Sequence, residues 1–293
     1  MTKHIPVLLD RVLETLGDIR GKTVVDGTFG AGGYSRAFLA AGANVIAFDR
    51  DPNVAADADK IKREYGDRFN FIQAPFSNLK NIADYGLRIT DYHAVVFDFG
   101  VSSMQIDTAE RGFSFRFDGP LDMRMDQSSE SARELIGNLS ADELSQILRD
   151  YGDVRKAKIL ANAMKKALPK TTFELKSLIH NPKDVAPVFQ ALRIAVNDEL
   201  GEMRRALDGV REMLSPGGMC LCVTFHSLED RLVKSAFRDW TTAPGDPRLP
   251  LVASAGFRLL KTFTPSDAEL AGNPRARSAH LRGVIKESVK SNQ

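Results

Sequence analysis

Between residues 23 and 104, short apolar runs alternate with helical or glycine-rich stretches, and this alternation restricts the fold more than any other feature of the chain. "TVVD", "NVIAFD", "FNFIQA" and "HAVVFD" have the length and β-branched content of strands buried on both faces. "YSRAFLAAG" and "NVAADADKIKREYG" between them read as helices. Strands that alternate with helices form a mostly parallel sheet covered by helices, an α/β domain. "GGMCLCVTF" and a last strand near "LRGVIK" continue the expected sheet far along the chain.

From about Asp107 to about residue 200 the strand signals stop and helical periodicity takes over. Ser140 and Glu143 have capping-box spacing, and Leu144, Ile147, Leu148 and Tyr151 then share one helical face. Thr171 and Glu174 repeat the arrangement after a helix stop at Pro169. Because the sheet resumes afterwards, the helical segment is expected to be an insertion. The expected division is a first part of the sheet domain at 1–106, an inserted helical domain with its connections at 107–199, and a second part at 200–293.

A chain of 293 residues that is 43% apolar has enough material for a core, and its net charge of +2 leaves any affinity for nucleic acid to local patches. The apolar run "IPVLL" near the start is too short for a signal-peptide core or a membrane span, so a cytoplasmic protein with no membrane partner is expected. Cys220 and Cys222 alternate onto one face of a strand and suit neither a disulfide framework nor a zinc site. No metal is expected.

"TVVDGTFGAGGYS" is a strand, an acid and a glycine turn that opens a helix. Gly27, Gly30, Gly32 and Gly33 allow positive φ and close backbone approach to a ligand, and the helix start offers free N–H groups. A tight strand-to-helix turn is the plainer reading of one or two of them. The dinucleotide fingerprint needs glycine at position 35, where this chain has Ser35, which disfavours a nicotinamide cofactor. The arrangement resembles the first motif of class I S-adenosylmethionine-dependent methyltransferases. Asp49 ends the next strand where an acid reaches ribose hydroxyls, although it or Asp51 can instead cap the following helix. Phe76 is placed to flank an adenine ring or to fill core. Asp98 ends the fourth strand at the carboxyl edge, where open α/β sheets bind ligands, and there it can meet a cofactor's sulfonium and amino group and a substrate amine. Gln105 can add an amide contact at the cofactor edge.

Three further groups are candidates for holding a substrate. Asp122, Arg124 and Asp126 in "LDMRMD" and His226 in "FHSLEDR" can position a base or form an ion-pair and capping network. In "RKAKILANAMKKALPK", Ala157, Leu160, Ala161, Met164 and Leu168 share one helical face and Arg155, Lys158, Lys165 and Lys166 the other, as a phosphate-binding surface or an ordinary solvated face. Arg275 and Arg277 in "NPRARS", with Arg282, add positive charge near the chain end.

Taken together, "HIPVLL", "DGTFGAGG", "DRDP", "GVSS", "ERGFSFRFDGPLDMRMD", "FQALRIAVNDEL", "FHSLEDR" and "NPRARS" resemble the MraW family of bacterial 16S ribosomal RNA cytosine-N4 methyltransferases, over nearly the whole chain. The resemblance implies a Rossmann-like class I methyltransferase domain with an inserted all-helical domain. It implies S-adenosyl-L-methionine as methyl donor and, as substrate, the exocyclic N4 of a cytidine in the decoding region of 16S ribosomal RNA, presented in the small ribosomal subunit. It assigns the cofactor to Gly32, Gly33, Tyr34, Asp49, Phe76, Asp98 and Gln105. Asp98, with Asp122 and His226 behind it, is the expected catalytic set. Arg155, Lys158, Lys165, Lys166, Arg275 and Arg277 are the expected RNA contacts. This chain departs from the family at Tyr34, where histidine is common, at Phe97 and Phe99, where leucines are usual, and at "DVAPVFQA", which lacks a Thr-Arg pair. A noncatalytic RNA-binding or assembly factor that keeps the cofactor fold is the rival reading. Sequence leaves monomer and homodimer open.

Overall fold

The computed structural model describes residues 6–87, 91–126, 130–242 and 256–288. His4 and Ile5 of the "HIPVLL" block lie outside the described residues. The chain divides into two compact units, one formed by Met1–Gly100 with Glu202–Gln293, the other by Val101–Gly201.

The first unit is built on a seven-stranded sheet: β1 Thr23–Asp26, β2 Asn44–Asp49, β3 Phe69–Gln73, β4 Ala94–Asp98, β5 Met219–Thr224, β6 Phe257–Leu259 and β7 His280–Lys286. Their order across the sheet is β3-β2-β1-β4-β5-β7-β6. β1 to β5 run parallel, while β7 lies antiparallel to β5, and β6 antiparallel to β7. This is the Rossmann-like sheet that the alternation and the resemblance lead one to expect. All six residues of β5 are buried, which explains why "MCLCVT" shows no polar alternation. Cys220 and Cys222 are free thiols on one face of β5, with sulfurs 3.9 Å apart. β6 was not expected: "FRL" is only three residues long and two of them are exposed, too little for a periodic signal.

The second unit contains no strand among the described residues, and its single isolated bridge joins Pro120 to Thr171. Its helices include Ala132–Asn138, Ala141–Gly152, Ala157–Ala167 and Val185–Asn197. They enclose a core with Ile136, Leu144, Leu148, Met164, Val188 and Leu192 at its centre. Ser131 with Glu134 and Ser140 with Glu143 form reciprocal capping boxes, so these helix starts are fixed locally before any packing. Leu168 departs from its expected place on the apolar face. The helix ends at Ala167, Leu168 turns to φ 47° ahead of Pro169, and its side chain is 47% exposed.

The first unit is sensitive at Gly27, whose missing Cβ leaves room for the Phe97 ring: a Cβ there would sit 2.3 Å from a ring carbon. Phe97 is fully buried and cannot yield without disturbing β4. Gly27→Ala is expected to cost about 1–3 kcal/mol, measured by urea denaturation. An unchanged midpoint would show that the ring moves freely.

Candidate active site

The carboxyl edge of the parallel strands gathers three aspartates. Asp26 is level with Ala47 on one side and Val96 on the other, so Asp49 and Asp98 lie two residues further along their strands and share its face of the sheet. Asp26 is almost wholly buried and its carboxylate accepts hydrogen bonds from the Ser35 hydroxyl (2.6 Å) and the Thr28 N–H (3.2 Å). Burial pushes its carboxyl up to about 6 against those hydrogen bonds. Asp49 accepts from the Gly30 N–H (2.8 Å) and the Asp51 N–H (2.9 Å), and burial raises it to about 6 as well. Asp51 takes the capping role instead, accepting from the backbone and side-chain nitrogens of Asn53. Asp49 therefore keeps lone pairs for a ligand's hydroxyls.

Asp98 is in a different state. Its N–H donates to Thr28 Oγ1 (2.7 Å), but its own Oδ1 is buried with no hydrogen-bond partner. Burial, and after it the charges of Asp26 and Glu229, hold this carboxyl well above the usual range. Phe97 and Phe99, its chain neighbours, are buried and stacked with centroids 5.0 Å apart, and Phe76 meets both edge-on at 5.6 and 5.7 Å. Phe76 is itself only half-buried, at the start of the 3₁₀ stretch that follows β3. The site thus combines an acid lacking a donor with an aromatic wall.

The glycine turn is packed against protein more tightly than the sequence indicates. Gly32 has φ 76°, and a Cβ on it would meet Ile61 at 2.6 Å; one on Gly33 would meet Pro6 at 2.4 Å. Tyr34 does not turn its hydroxyl toward the strand ends. It is buried and donates to the Val7 carbonyl. Burial, then the charges of Asp98, Asp26 and Glu269, lift its phenol well above the ordinary value. Leu8, at φ 57°, donates its N–H to Glu269 Oε1 at 2.5 Å. Residues 6–8 form a strap: Pro6 lies against Gly33 and Val7 is bonded by Tyr34 at the start of the helix Gly33–Ala40, while Leu8 is bonded by Glu269 of the helix Asp267–Gly272.

His226, at the end of β5, caps the helix Ser227–Thr241. Its Nδ1 accepts from the Glu229 N–H (3.4 Å), while Glu229 Oε2 accepts from the N–H groups of Phe225 (2.7 Å) and His226 (3.3 Å). Nε2 lies 3.0 Å from Glu229 Oε1, yet out of hydrogen-bonding alignment. Arg282 grips Asp230 through Nε (2.5 Å) and Nη2 (3.0 Å). Arg275 and Arg277 are exposed in the turn Pro274–Ser278, which leads into β7. Because His280 pairs with Thr224, that turn enters the sheet at the same carboxyl edge.

In the helical unit several expected contacts are already engaged. Asp122 makes a two-point ion pair with Arg124 (2.9 and 2.8 Å); burial opposes its charge, but the Arg124 hydrogen bonds prevail and hold it below the usual carboxylate range. Lys158 is paired with Asp142. Lys165 donates to the carbonyls of Ile136 (3.0 Å) and Gly137 (2.6 Å), closing the end of the helix Ala132–Asn138. Of that group, Arg155, Lys158 and Lys166 are exposed. Gln105 Oε1 accepts from the Ser102 N–H (3.0 Å) in a capping box.

Asp26, Thr28, Ser35 and Glu229 were not singled out by the sequence. The signal for Glu229 was present, since His226 and Glu229 have the spacing of a capping box. Asp26 was noted only as an acid before the glycines. Its bonds to Thr28 and Ser35 tie β1, the turn and the helix into one piece with the backbone of Asp98.

The sequence model of the MraW methylase family matches residues 1–287. A protein of Mesorhizobium japonicum called ribosomal RNA small subunit methyltransferase H is 45% identical over 97% of this chain and 87% of its own length. One of the same name from Caulobacter vibrioides is 45% identical over 97% of this chain and 95% of its own. Among solved structures, an rRNA methylase from Streptococcus thermophilus aligns with TM-score 0.46 and 13% identity, covering 98% of this chain and 99% of that one.

The strap generates its own test. Tyr34→Phe removes one buried hydroxyl and leaves the Val7 carbonyl without its donor, an expected cost of about 1–3 kcal/mol. Hydrogen exchange should speed up at residues 7–9 while β1 and β4 keep their protection; unchanged exchange there would show that the hydroxyl does not hold the strap.

Proposed function

The chain belongs to the MraW methylase family, and from that premise we propose that it methylates the exocyclic N4 of a cytidine in the decoding region of 16S ribosomal RNA, as part of the small ribosomal subunit. The family's methyl donor is S-adenosyl-L-methionine. The observation that carries the site assignment is the buried, partnerless Oδ1 of Asp98 at the carboxyl edge of β4.

The residues fit the donor's chemistry. Asp98 offers negative charge where a cationic or N–H-bearing ligand would relieve it. Asp49 offers a carboxylate to ribose hydroxyls, and the half-buried Phe76 ring offers a face to adenine. Gly33 brings a backbone N–H at the start of its helix, Gly32, whose N–H donates to the Phe29 carbonyl (2.7 Å), shapes the turn before it, and the side chain of Tyr34 holds the strap. Gln105 is proposed as a cofactor contact on the family resemblance alone. When bound, the cofactor supplies an electrophilic methyl group on a sulfonium.

Cytosine N4 is a weak nucleophile because its lone pair is delocalised into the ring. The protein's task is to orient that nitrogen and to accept an amino hydrogen as positive charge develops on it. Orientation alone is worth about 7–11 kcal/mol of barrier in favourable cases. Asp98 Oδ1 is the proposed acceptor, in surroundings whose buried aromatics strengthen charge interactions. His226 is proposed as a positioning residue through its helix cap, and Asp122 through its Arg124 pair. Arg155, Lys166, Arg275 and Arg277 are the proposed phosphate contacts, with Lys158 and Lys165 contributing charge from their paired positions.

The decisive experiment incubates the protein with unmodified small subunits and labelled S-adenosylmethionine and identifies the modified nucleoside by mass spectrometry. N4-methylcytidine in 16S RNA is expected; a methyl group on another atom would overturn the assignment, and no transfer would favour an assembly factor. Asp98→Asn is expected to keep the fold and lose about a hundredfold or more in turnover. Near wild-type turnover would remove Asp98 from the chemistry.

Cofactor affinity should also depend on pH. The proposed ligand contacts favour the ionised forms of Asp49, raised to about 6 when free, and of Asp98, held well above the usual range. Binding that favours the carboxylate strengthens as the proton leaves, so affinity should rise from pH 5 to pH 7.5. A flat calorimetric profile across that range would contradict both assignments.

A further inference from the structure

The block "ERGFSFRFDGPLDMRMD" contains three phenylalanines with three different fates. Phe113 is buried, Phe115 packs edge-on against Phe189 at 5.6 Å, and Phe117 is 47% exposed. A second exposed ring, that of Phe173, belongs to a segment hydrogen-bonded to residues 117–119. The Thr172 hydroxyl donates to the Phe117 carbonyl (2.8 Å), the Phe173 N–H donates to Asp118 Oδ1 (3.1 Å), and the Thr172 N–H donates to the Gly119 carbonyl (3.0 Å). Phe173 is 44% exposed. Gly119, between the two segments, packs closely on the Ala109 carbonyl, which a Cβ there would approach to 1.9 Å.

Positive charge surrounds the two rings. Lys176 Nζ stands 5.5 Å from the Phe173 ring centroid and donates to the Phe115 carbonyl at 3.2 Å. Arg116 and Lys170, chain neighbours of the pair, are exposed. Two acids nearby are held by backbone N–H groups, Asp118 accepting from Phe173 and Glu174 from Lys170 at 2.7 Å, which leaves three cations to two carboxylates around the rings.

We infer that Phe117 and Phe173 form a stacking platform for unpaired nucleobases, with Lys176, Arg116 and Lys170 taking the flanking phosphates. Rigid exposed aromatic faces set among cations are what single-stranded RNA recognition requires, since every base has a π-face and every nucleotide a negative charge. An apolar protein partner would leave those cations unmatched. The inference rests on the ribosomal RNA reading above and adds to it a contact surface outside the proposed basic helix face.

The test uses the full-length protein and a single-stranded cytidine-rich RNA oligonucleotide carrying one 2-aminopurine. Phe117→Ala and Phe173→Ala should each raise the RNA Kd about tenfold, the double variant should abolish the quenching of 2-aminopurine, and Phe173→Tyr should retain both. Ile159→Ala, which removes a more exposed apolar side chain outside the platform (67%), should bind like wild type. Calorimetry should show S-adenosylmethionine affinity unchanged in every variant. If wild type binds the oligonucleotide and the alanine variants bind it equally well, the platform is overturned while the functional reading stands. If wild type binds no oligonucleotide, the platform is overturned, while the functional reading stands or falls on methyl transfer to small subunits. Dimers of the wild type that the double variant dissolves, at unchanged RNA affinity, would assign the rings to protein contact instead.

Discussion

Asp98 holds one oxygen away from water, with no hydrogen-bond donor, among neighbours that are themselves acids. An ion left in that condition would cost several kcal/mol, which is why the carboxyl holds its proton far above the usual range until a ligand compensates the charge. Asp26 anchors the turn after β1 through Ser35 and Thr28, and Thr28 in turn accepts the Asp98 N–H, so the position of the carboxylate is fixed by the sheet and not by its own contacts. The stacked pair Phe97–Phe99 and the edge-on Phe76 line the place with apolar groups. In such surroundings a positive ligand is felt more strongly than it would be in water.

Much of this was legible because it depends on neighbours in the chain. Strands buried on both faces reveal themselves as unbroken apolar runs, and an acid that ends such a run is conspicuous. Capping boxes at Ser131, Ser140 and His226 are spacings of three. What sequence could not supply were partners distant in the chain. Nothing near Lys165 announces that the carbonyls of Ile136 and Gly137 will engage it, or near Lys158 that Asp142 will. Gly27 and Gly33 looked like ligand-facing glycines, yet their missing Cβ atoms are also required by Phe97 and Pro6. Leu168 followed the helical period on paper, but Pro169 stops the helix one residue too soon.

The helical unit relies on a similar economy of polar contacts. Met123 takes a left-handed backbone conformation at φ 63°, unusual for a residue with a side chain. Asn197 holds it there, donating to the Met123 carbonyl and accepting from the Met125 N–H, both at 2.8 Å. Arg111 adds bonds to the carbonyls of Arg124 (2.8 Å) and Met125 (3.1 Å). Two sequence blocks far apart in the chain, "LDMRMD" and "FQALRIAVNDEL", are thus two sides of one arrangement, and a substitution at Asn197 would be read most directly in the placement of Asp122 and Arg124.

The pairing of β4 with β5 has a consequence for how the protein is made. Ala94 lies beside Met219, with the whole helical unit emerging between them. Until that stretch has left the translating ribosome, the growing sheet ends in β4, whose open flank is a row of unsatisfied backbone groups beside an apolar run. Contacts so distant along the chain form slowly. The nascent chain therefore spends its most vulnerable interval with an adhesive margin exposed, and a helical segment that folds early on its own caps would shorten the loop that β5 has to close.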